Sequence, residues 1–183
     1  MSSLTPPRLG QANALSHLGL ALQQAGNYPA AVASLQRALD LFCDLGHRLG
    51  QAWALNDLGI VHQQAAHYDA AAASHQQALD LFRDIGNQFG QAATLNNLGQ
   101  LAACTDDLGQ ARHHHTQALA IACGIDASIE QARAHEGLGQ AHLHNGNPAV
   151  AASHLRQALT IYQRAGTPAD AQRVQETLRH HEL

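Results

Sequence analysis

The sequence predicts an all-α fold in which four helix pairs stack one on another. Three observations predict it: a 40-residue internal repeat, apolar residues at helical spacing within each repeat, and a composition that is 45% hydrophobic but only 4% aromatic. One helix pair does not bury its apolar face alone, so stacking the repeats creates a continuous core. Small residues at the packing positions let helix backbones approach closely, which explains the scarcity of aromatic side chains.

The repeat is visible without any gap in the alignment. Residues 10–49 and 50–89 share 23 identities in 40 positions. The dipeptide Leu-Gly recurs at the same step throughout, at Leu18-Gly19, Leu58-Gly59, Leu98-Gly99 and Leu138-Gly139. Four repeats therefore occupy residues 10–49, 50–89, 90–129 and 130–169.

The pattern within each repeat predicts two helices separated by a turn. In the first repeat, apolar and small residues recur at three- and four-residue steps from Ala12 to Leu22, and again from Ala31 to Phe42. Gly26 lies between the two stretches and Gly46 follows the second. Because glycine adopts the left-handed conformation without strain, these positions are expected to end the helices.

The two ends of the chain are predicted to differ from the repeats. Residues 1–9 are expected to form a flexible leader, and residues 170–183 a capping helix with a short tail. Val174 and Leu178 are spaced to cover the last repeat, whereas the other faces of that segment are polar, as a terminal cap requires.

Charge and cysteine content exclude several functional classes. Ten arginines and no lysine oppose fourteen carboxylates, so no basic excess favours nucleic acid. The three cysteines, widely spaced, provide neither a disulfide framework nor a zinc site. No apolar run is long enough to cross a membrane, and no charged-then-apolar leader opens the chain. The sequence therefore predicts a cytoplasmic protein with no membrane partner.

The repeat resembles the tetratricopeptide repeat (TPR). The first repeat shows the family pattern of apolar and small residues, at Leu15, Leu18-Gly19, Leu22, Ala31, Leu35 and Ala38, and later repeats preserve it. The period of 40 residues is longer than the usual TPR period and is similar to that of kinesin light chains and of the helical-repeat tails of bacterial signalling ATPases and transcription regulators. The resemblance implies a right-handed α-solenoid of four repeats. In repeat three, Ala102 and His115 replace larger apolar residues, so we expect looser packing there.

The resemblance also implies a function and a surface for it. In TPR proteins the first helices line a concave surface that holds a peptide or partner protein, and a regulatory role in bacteria follows from the regulator-like repeats. The matching positions are Asn13, Ser16, Gln23, Trp53, Asn56, Gln63, Asn96, Gln100, Arg133, Glu136 and Gln140. Asparagine and glutamine offer both a donor and an acceptor, which suits an extended peptide backbone. Asn56 and Asn96 are expected to form an amide ladder along it, and Trp53 to anchor one side chain.

Two alternatives remain beside the peptide-binding interpretation. The array could chiefly self-associate as a homodimer. The chain could instead be an enzyme or small-molecule binder that uses Cys104 and His144, which occupy equivalent positions in adjacent repeats and could form a thiol–imidazole pair. The sequence indicates neither an orienting group nor an oxyanion site for such a pair. We therefore expect no enzyme activity, no catalytic residue and no cofactor.

The fourteen histidines invite two further hypotheses. His113, His114 and His115 are consecutive, so their side chains diverge around a helix and are not expected to share a metal ion. We predict that they are solvated or core residues and that the chain holds no metal. His75 and His115 occupy usually buried positions, where protonation would be unfavourable and would loosen the array in acid.

The second helices carry two minor features. Asp40, Asp44, Asp80 and Asp84 repeat at four-residue steps and are expected to form a solvated stripe, or alternatively a docking surface for a basic partner. Cys43 and Cys123 lie two repeats apart, too far to bridge in a stacked array, and are expected to be packing residues.

Overall fold

A computed structural model describes residues 5–182, with side chains from residue 8 onward. Within this described part, every regular element is a helix. The bounds are α1 (Thr5–Gln24), α2 (Tyr28–Asp44), α3 (Arg48–Gln64), α4 (Tyr68–Asp84), α5 (Gln88–Cys104), α6 (Leu108–Gly124), α7 (Ser128–His144), α8 (Pro148–Ala165) and α9 (Pro168–His180). The predicted all-α solenoid class, four helix-turn-helix repeats followed by a C-terminal helix, is confirmed.

The N-terminus differs from the prediction. Residues 5–9 of the expected leader belong to α1, and residues 1–4 lie outside the described residues. The apolar face of α1 therefore begins earlier than the repeat pattern suggests, because Leu9 packs beside Ala12 against Phe42.

The chain divides into two compact units, an N-terminal half (Met1–Gly90) and a C-terminal half (Gln91–Leu183). In the N-terminal half, α1 packs on α2, α2 on α3 and α3 on α4. Alanines fill the contacts closest to the backbone, while Leu35, Phe42 and Phe82 are the large buried side chains. The half is thus held together chiefly by apolar contacts.

In the C-terminal half, α6 packs on α7, α7 on α8 and α8 on α9. Val174 and Leu178 of α9 are buried with Leu155 and Tyr162 of α8. This arrangement matches the predicted capping role, since the exposed positions of α9 are mostly polar.

The recurring Leu-Gly dipeptide has a steric explanation. A Cβ atom on the glycine would overlap the side chain 16 residues later, which belongs to the second helix of the same repeat. Leu35 fills this space above Gly19 and Leu155 above Gly139. Glycine at this position therefore lets the two helices of a repeat pack closely.

A glutamine near the start of repeats two and four, Gln51 and Gln131, also has a local role. Gln51 donates its side-chain amide to the carbonyl of Phe42 at 3.1 Å. Gln131 does the same to Ala122 at 3.0 Å. Each glutamine thereby ties a first helix to the last turn of the preceding helix, where backbone carbonyls lack intrahelical partners.

The turns confirm the predicted use of glycine and show where the chain departs from it. Gly26 and Gly46 have positive φ angles of 74° and 63°. Ala66, Asp106 and Asp126 adopt the same left-handed conformation without being glycine, with φ of 60°, 61° and 54°.

No helix in the described part of the chain is both long and apolar enough to cross a membrane.

Candidate functional site

The eleven predicted surface positions fall into three groups by exposure. Exposed side chains are Asn13, Gln100 and Gln140; partly buried ones are Ser16, Gln23, Trp53, Gln63 and Arg133; and buried ones are Asn56, Asn96 and Glu136. A ligand therefore has direct access to the first group and partial access to the second. The third group belongs to the packing between helices.

Asn96 shows what the buried position does instead of binding a peptide. Its amide Nδ2 donates to the backbone carbonyl of Glu130 at 3.0 Å and to the Glu130 carboxylate at 2.9 Å. Its Oδ1 lies 3.1 Å from Nδ1 of His115. Both ends of the amide are thus used within the protein, so the expected ladder of Asn56 and Asn96 along a ligand is wrong for Asn96. Asn56 is likewise only 4% exposed.

Arg133, the predicted cation of the surface, is held by the same network. Its Nη2 donates to Oδ1 of Asn97 at 2.6 Å, and its Nη1 contacts the carboxylate of Glu130 at 3.1 Å. Glu130 is almost fully buried, so the arginine compensates a desolvated charge. Arg133 therefore joins α5 to α7 as part of the packing between helices.

Glu136 is the centre of a second polar cluster. Arg173 of α9 donates from Nε and Nη2 to the two Glu136 oxygens, both at 2.8 Å, and Tyr162 donates its hydroxyl at 3.0 Å. Burial and the adjacent Glu136 carboxylate raise the pKa of Tyr162 above its usual range, so it stays a hydrogen-bond donor. The bidentate arginine fixes α9 on α7.

The N-terminal half presents an aromatic surface at the corresponding first helix. The Trp53 ring packs edge-on against buried Phe82, with centroids 4.8 Å apart, and lies 6.2 Å from the ring of Phe89. Phe89 is 49% exposed. Trp53 therefore packs against Phe82 and remains partly exposed, as an anchor for a side chain requires.

Asp57 is a feature of this surface that sequence analysis missed. It lies on α3 one turn after Trp53 and is partly buried. Burial raises the pKa of its carboxyl to about 7, opposed by a hydrogen bond from the side chain of Asn56. The signal available in the sequence was a lone aspartate at a repeat position where repeat three has Asn97.

The histidines range from exposed to fully buried, in keeping with the prediction of solvated or core residues. His75 and His115 are buried at 0% and 1% exposure beneath Gly59 and Gly99, and Gly137 lies against the same His115 ring. Burial, with Arg133 and His114 nearby, lowers the pKa of His115 to about 4.

A histidine cluster at the α7–α8 contact was not anticipated. Nδ1 of His135 lies 2.9 Å from Nδ1 of His154, and the His142 ring stacks on His154 at 5.8 Å. Burial and the neighbouring imidazole lower the pKa of both His135 and His154. Among the described residues, no three histidine, cysteine or acidic side chains converge as a metal site.

The acidic stripe is less available than expected. Asp44 pairs with Arg8 at 2.7 Å and Asp84 with Arg48 at 2.8 Å. Asp80 lies 3.6 Å from Arg83, and Asp40 accepts from the Gln36 amide at 3.0 Å. These intramolecular partners reduce the attraction of the stripe for a basic partner.

The cysteines lie at the surface. Cys43 and Cys123 are exposed, so their expected role as packing residues is wrong. Cys104 and His144 are also exposed. The His144 ring nitrogen Nδ1 lies 2.9 Å from the carbonyl of Gln140 in its own helix. This contact occupies one nitrogen of the imidazole that the alternative thiol pairing would use.

Comparison with known proteins identifies the repeat. A tetratricopeptide repeat model matches residues 10–84 and 90–164. Comparison with curated protein sequences finds no match. Three similar solved structures are BtubC from P. vanneervenii (21% identity, TM-score 0.74, 85% of this chain and 65% of that one), the Rap conjugation gene regulator of plasmid pLS20 with the Phr* peptide (16%, 0.86, 95% and 48%), and aspartyl phosphate phosphatase F from Bacillus subtilis (13%, 0.85, 92% and 44%).

These structures establish similarity of fold alone, because their identities to this chain are low. The chain spans less than two thirds of the length of each of the three.

Proposed function

The chain belongs to the tetratricopeptide repeat family, and on this premise we propose that it is a non-catalytic scaffold that binds a peptide segment or a partner protein. The binding residues we propose lie on the first helices of the repeats, α1, α3, α5 and α7. The observation that carries the proposal is that these helices carry polar and aromatic side chains that are at least partly exposed: Asn13, Gln23, Trp53 and Gln63 in the N-terminal half, and Gln100 and Gln140 in the C-terminal half.

The chemistry of these side chains suits an extended peptide. Exposed amide side chains offer donors and acceptors to a peptide backbone, and a supported tryptophan offers an apolar contact of large area. Asn96 and Glu136 keep the helices in register behind the surface, and Arg133 ties α5 to α7 through Asn97. A rigid surface lowers the entropic cost of binding, because fewer side chains have to be ordered when the ligand arrives.

We also propose a regulatory role in a bacterial cytoplasm. The Rap regulator of plasmid pLS20, which has a similar fold, is a protein solved with a bound peptide. That precedent supports a peptide or protein as the ligand class here. Self-association as a homodimer is the competing use of the same surface.

Affinity capture from a lysate of the source organism tests the proposal. The surface variant carries Asn13→Ala, Gln100→Ala and Gln140→Ala, all at exposed positions whose truncation leaves the core intact. The matched control carries Gln77→Ala, Ser153→Ala and Gln157→Ala, which remove exposed polar groups from second helices. Circular dichroism verifies that both variants keep their helicity.

We expect the wild type and the control to retain the same partner and the surface variant to retain at least tenfold less of it. Equal capture by all three proteins would place the binding surface elsewhere and contradict the proposal. Recovery of the chain alone, with a concentration-dependent mass in light scattering, would establish self-association instead.

A further inference from the structure

Asp57 is the one aspartate of the N-terminal half that is partly buried. The four arginines of that half all lie within the described residues, and none of them pairs with Asp57. Three of the four arginines there bind other aspartates, through the pairs Arg8–Asp44, Arg48–Asp84 and Arg83–Asp80. The Asp57 carboxyl instead accepts a hydrogen bond from the neutral side-chain amide of Asn56. The carboxyl is therefore desolvated without a compensating positive charge, which is unfavourable for its ionised form.

In the C-terminal half, the polar side chain at the same repeat position has an arginine as its hydrogen-bond donor. Asn97 is equivalent to Asp57, and it accepts a hydrogen bond from the guanidinium of Arg133 at 2.6 Å. The acceptor on α5 is thus supplied with an arginine from its own half, whereas the ion pairs of the N-terminal half leave Asp57 without one.

One helical turn from Asp57 lies a residue that suits a guanidinium. Trp53 lies four residues earlier on α3, so both side chains project from the same helix face. A planar guanidinium can stack on an indole while donating to a carboxylate. The half as a whole favours a cation, since it contains six aspartates, four arginines and neither lysine nor glutamate.

We infer that Asp57 and Trp53 form a receptor for an arginine side chain carried by the bound peptide. The inference rests on the proposed function and names the chemistry of its ligand. The incoming guanidinium donates to the Asp57 carboxylate and stacks on the Trp53 ring. Burial of the carboxylate, which raises its pKa to about 7 in the free protein, is the cost that the peptide arginine offsets.

The test begins with selection from a displayed library of random peptides on the wild-type chain. A selected peptide is then synthesised with arginine and with citrulline, which has the same shape but no charge. Both versions are titrated against the wild type, Asp57→Asn and Asp69→Asn. The last variant is the matched control, because it changes the net charge equally at an exposed position of α4.

We expect selected peptides to be enriched in arginine. The citrulline peptide should bind the wild type and Asp69→Asn at least tenfold more weakly than the arginine peptide, and the two peptides should bind Asp57→Asn about equally. Asp57→Asn should also raise Tm by about 2–4 °C in the absence of peptide, because it removes an uncompensated charge. Weaker binding by a more stable variant separates a ligand contact from a folding defect.

Peptides that bind the wild type without preference for arginine over citrulline would overturn the inference and leave the proposed function standing. A citrulline effect of the same size in Asp57→Asn as in the wild type would also overturn it, since the cation would then be recognised elsewhere. A library that yields no binder at all would contradict the proposed function together with the inference.

Discussion

The two halves of the molecule use one helical repeat with different chemistry between the helices. In the N-terminal half, Phe42 and Phe82 fill the contacts, and the ion pairs, such as Arg8–Asp44, lie at the surface. In the C-terminal half, buried Glu130 pairs with Arg133 of its own helix, which also reaches Asn97 of α5, and buried Glu136 pairs with Arg173 of α9. The same helical repeat can therefore be held together by apolar or by polar contacts between its helices. The half with apolar stacking is also the half that leaves a desolvated carboxylate, Asp57, for another use.

The largest difference between the halves should appear when one acidic residue is removed from each. Glu136→Ala should destabilise the protein by about 2–3 kcal/mol, because it leaves the buried Tyr162 hydroxyl without its acceptor and releases Arg173. Asp44→Ala should cost less than about 0.5 kcal/mol, because its pair with Arg8 is exposed. Urea unfolding measures both values. Equal costs would refute the distinction between buried and surface pairs.

A smaller effect is expected where His115 packs between two glycines. Gly137→Ala should destabilise the protein by about 2 kcal/mol, because the added Cβ overlaps the His115 ring. The ring also packs closely against Gly99, so it cannot shift in that direction. Gly124→Ala is the control, since no atom lies within 4 Å of its added Cβ. Thermal melts should separate the two variants clearly, and a stable Gly137→Ala would mean that the His115 ring is free to move.

The pH dependence of stability sharpens the comparison further. The pKa of His115 is lowered to about 4 in the folded protein, so below about pH 6.5 the unfolded chain binds a proton that the native state excludes. Stability should therefore fall as the pH is lowered from 6.5 toward 4, by about 2–3 kcal/mol from this residue.

His115→Leu, which restores the residue type of repeats one and four, should reduce that slope. Urea unfolding at pH 7.5, 6.0 and 5.0 measures the slope, and an unchanged slope in the variant would assign the acid sensitivity to other histidines.

Asp57 should change the pH dependence of stability in the opposite direction. Its pKa is raised to about 7, so acidification relieves an unfavourable charge in the N-terminal half.

The smallest expected effect concerns the turns. Ala66→Gly should stabilise the N-terminal half by about 0.5–1 kcal/mol, because alanine is strained at a φ of 60° and glycine is not. Asp126→Gly, at a φ of 54° in the C-terminal half, should behave similarly. A loss of stability in thermal melts of both variants would show that the aspartate and alanine make compensating contacts in these turns.

The sequence predicted the helices well because their signals are local and repeated four times. The period, the turns at Gly26 and Gly46 and the cap residues Val174 and Leu178 all follow from spacing alone. The N-terminal boundary was less accurate, because helix α1 extends beyond the region that the repeat pattern covers.

The surface was predicted less well, because exposure depends on residues far away in the sequence. Asn96 matched a ligand-facing position, but Glu130 and His115 occupy its amide. Residues 92–99 of repeat three are all buried, and the looser packing expected at Ala102 and His115 stays a prediction. Asp57 escaped notice because an isolated aspartate carries no motif, and its burial appears only when α3 is packed in place.

Trp53 gives the most direct test of the account, since it is the only tryptophan in the chain and lies on the proposed surface. Its fluorescence is recorded while an arginine-containing peptide, selected as above, is titrated into the protein. The account predicts a saturable change in emission whose midpoint equals the Kd measured by calorimetry, and a weaker apparent affinity for Asp57→Asn. Calorimetric binding with unchanged Trp53 emission would place the ligand elsewhere and contradict the account.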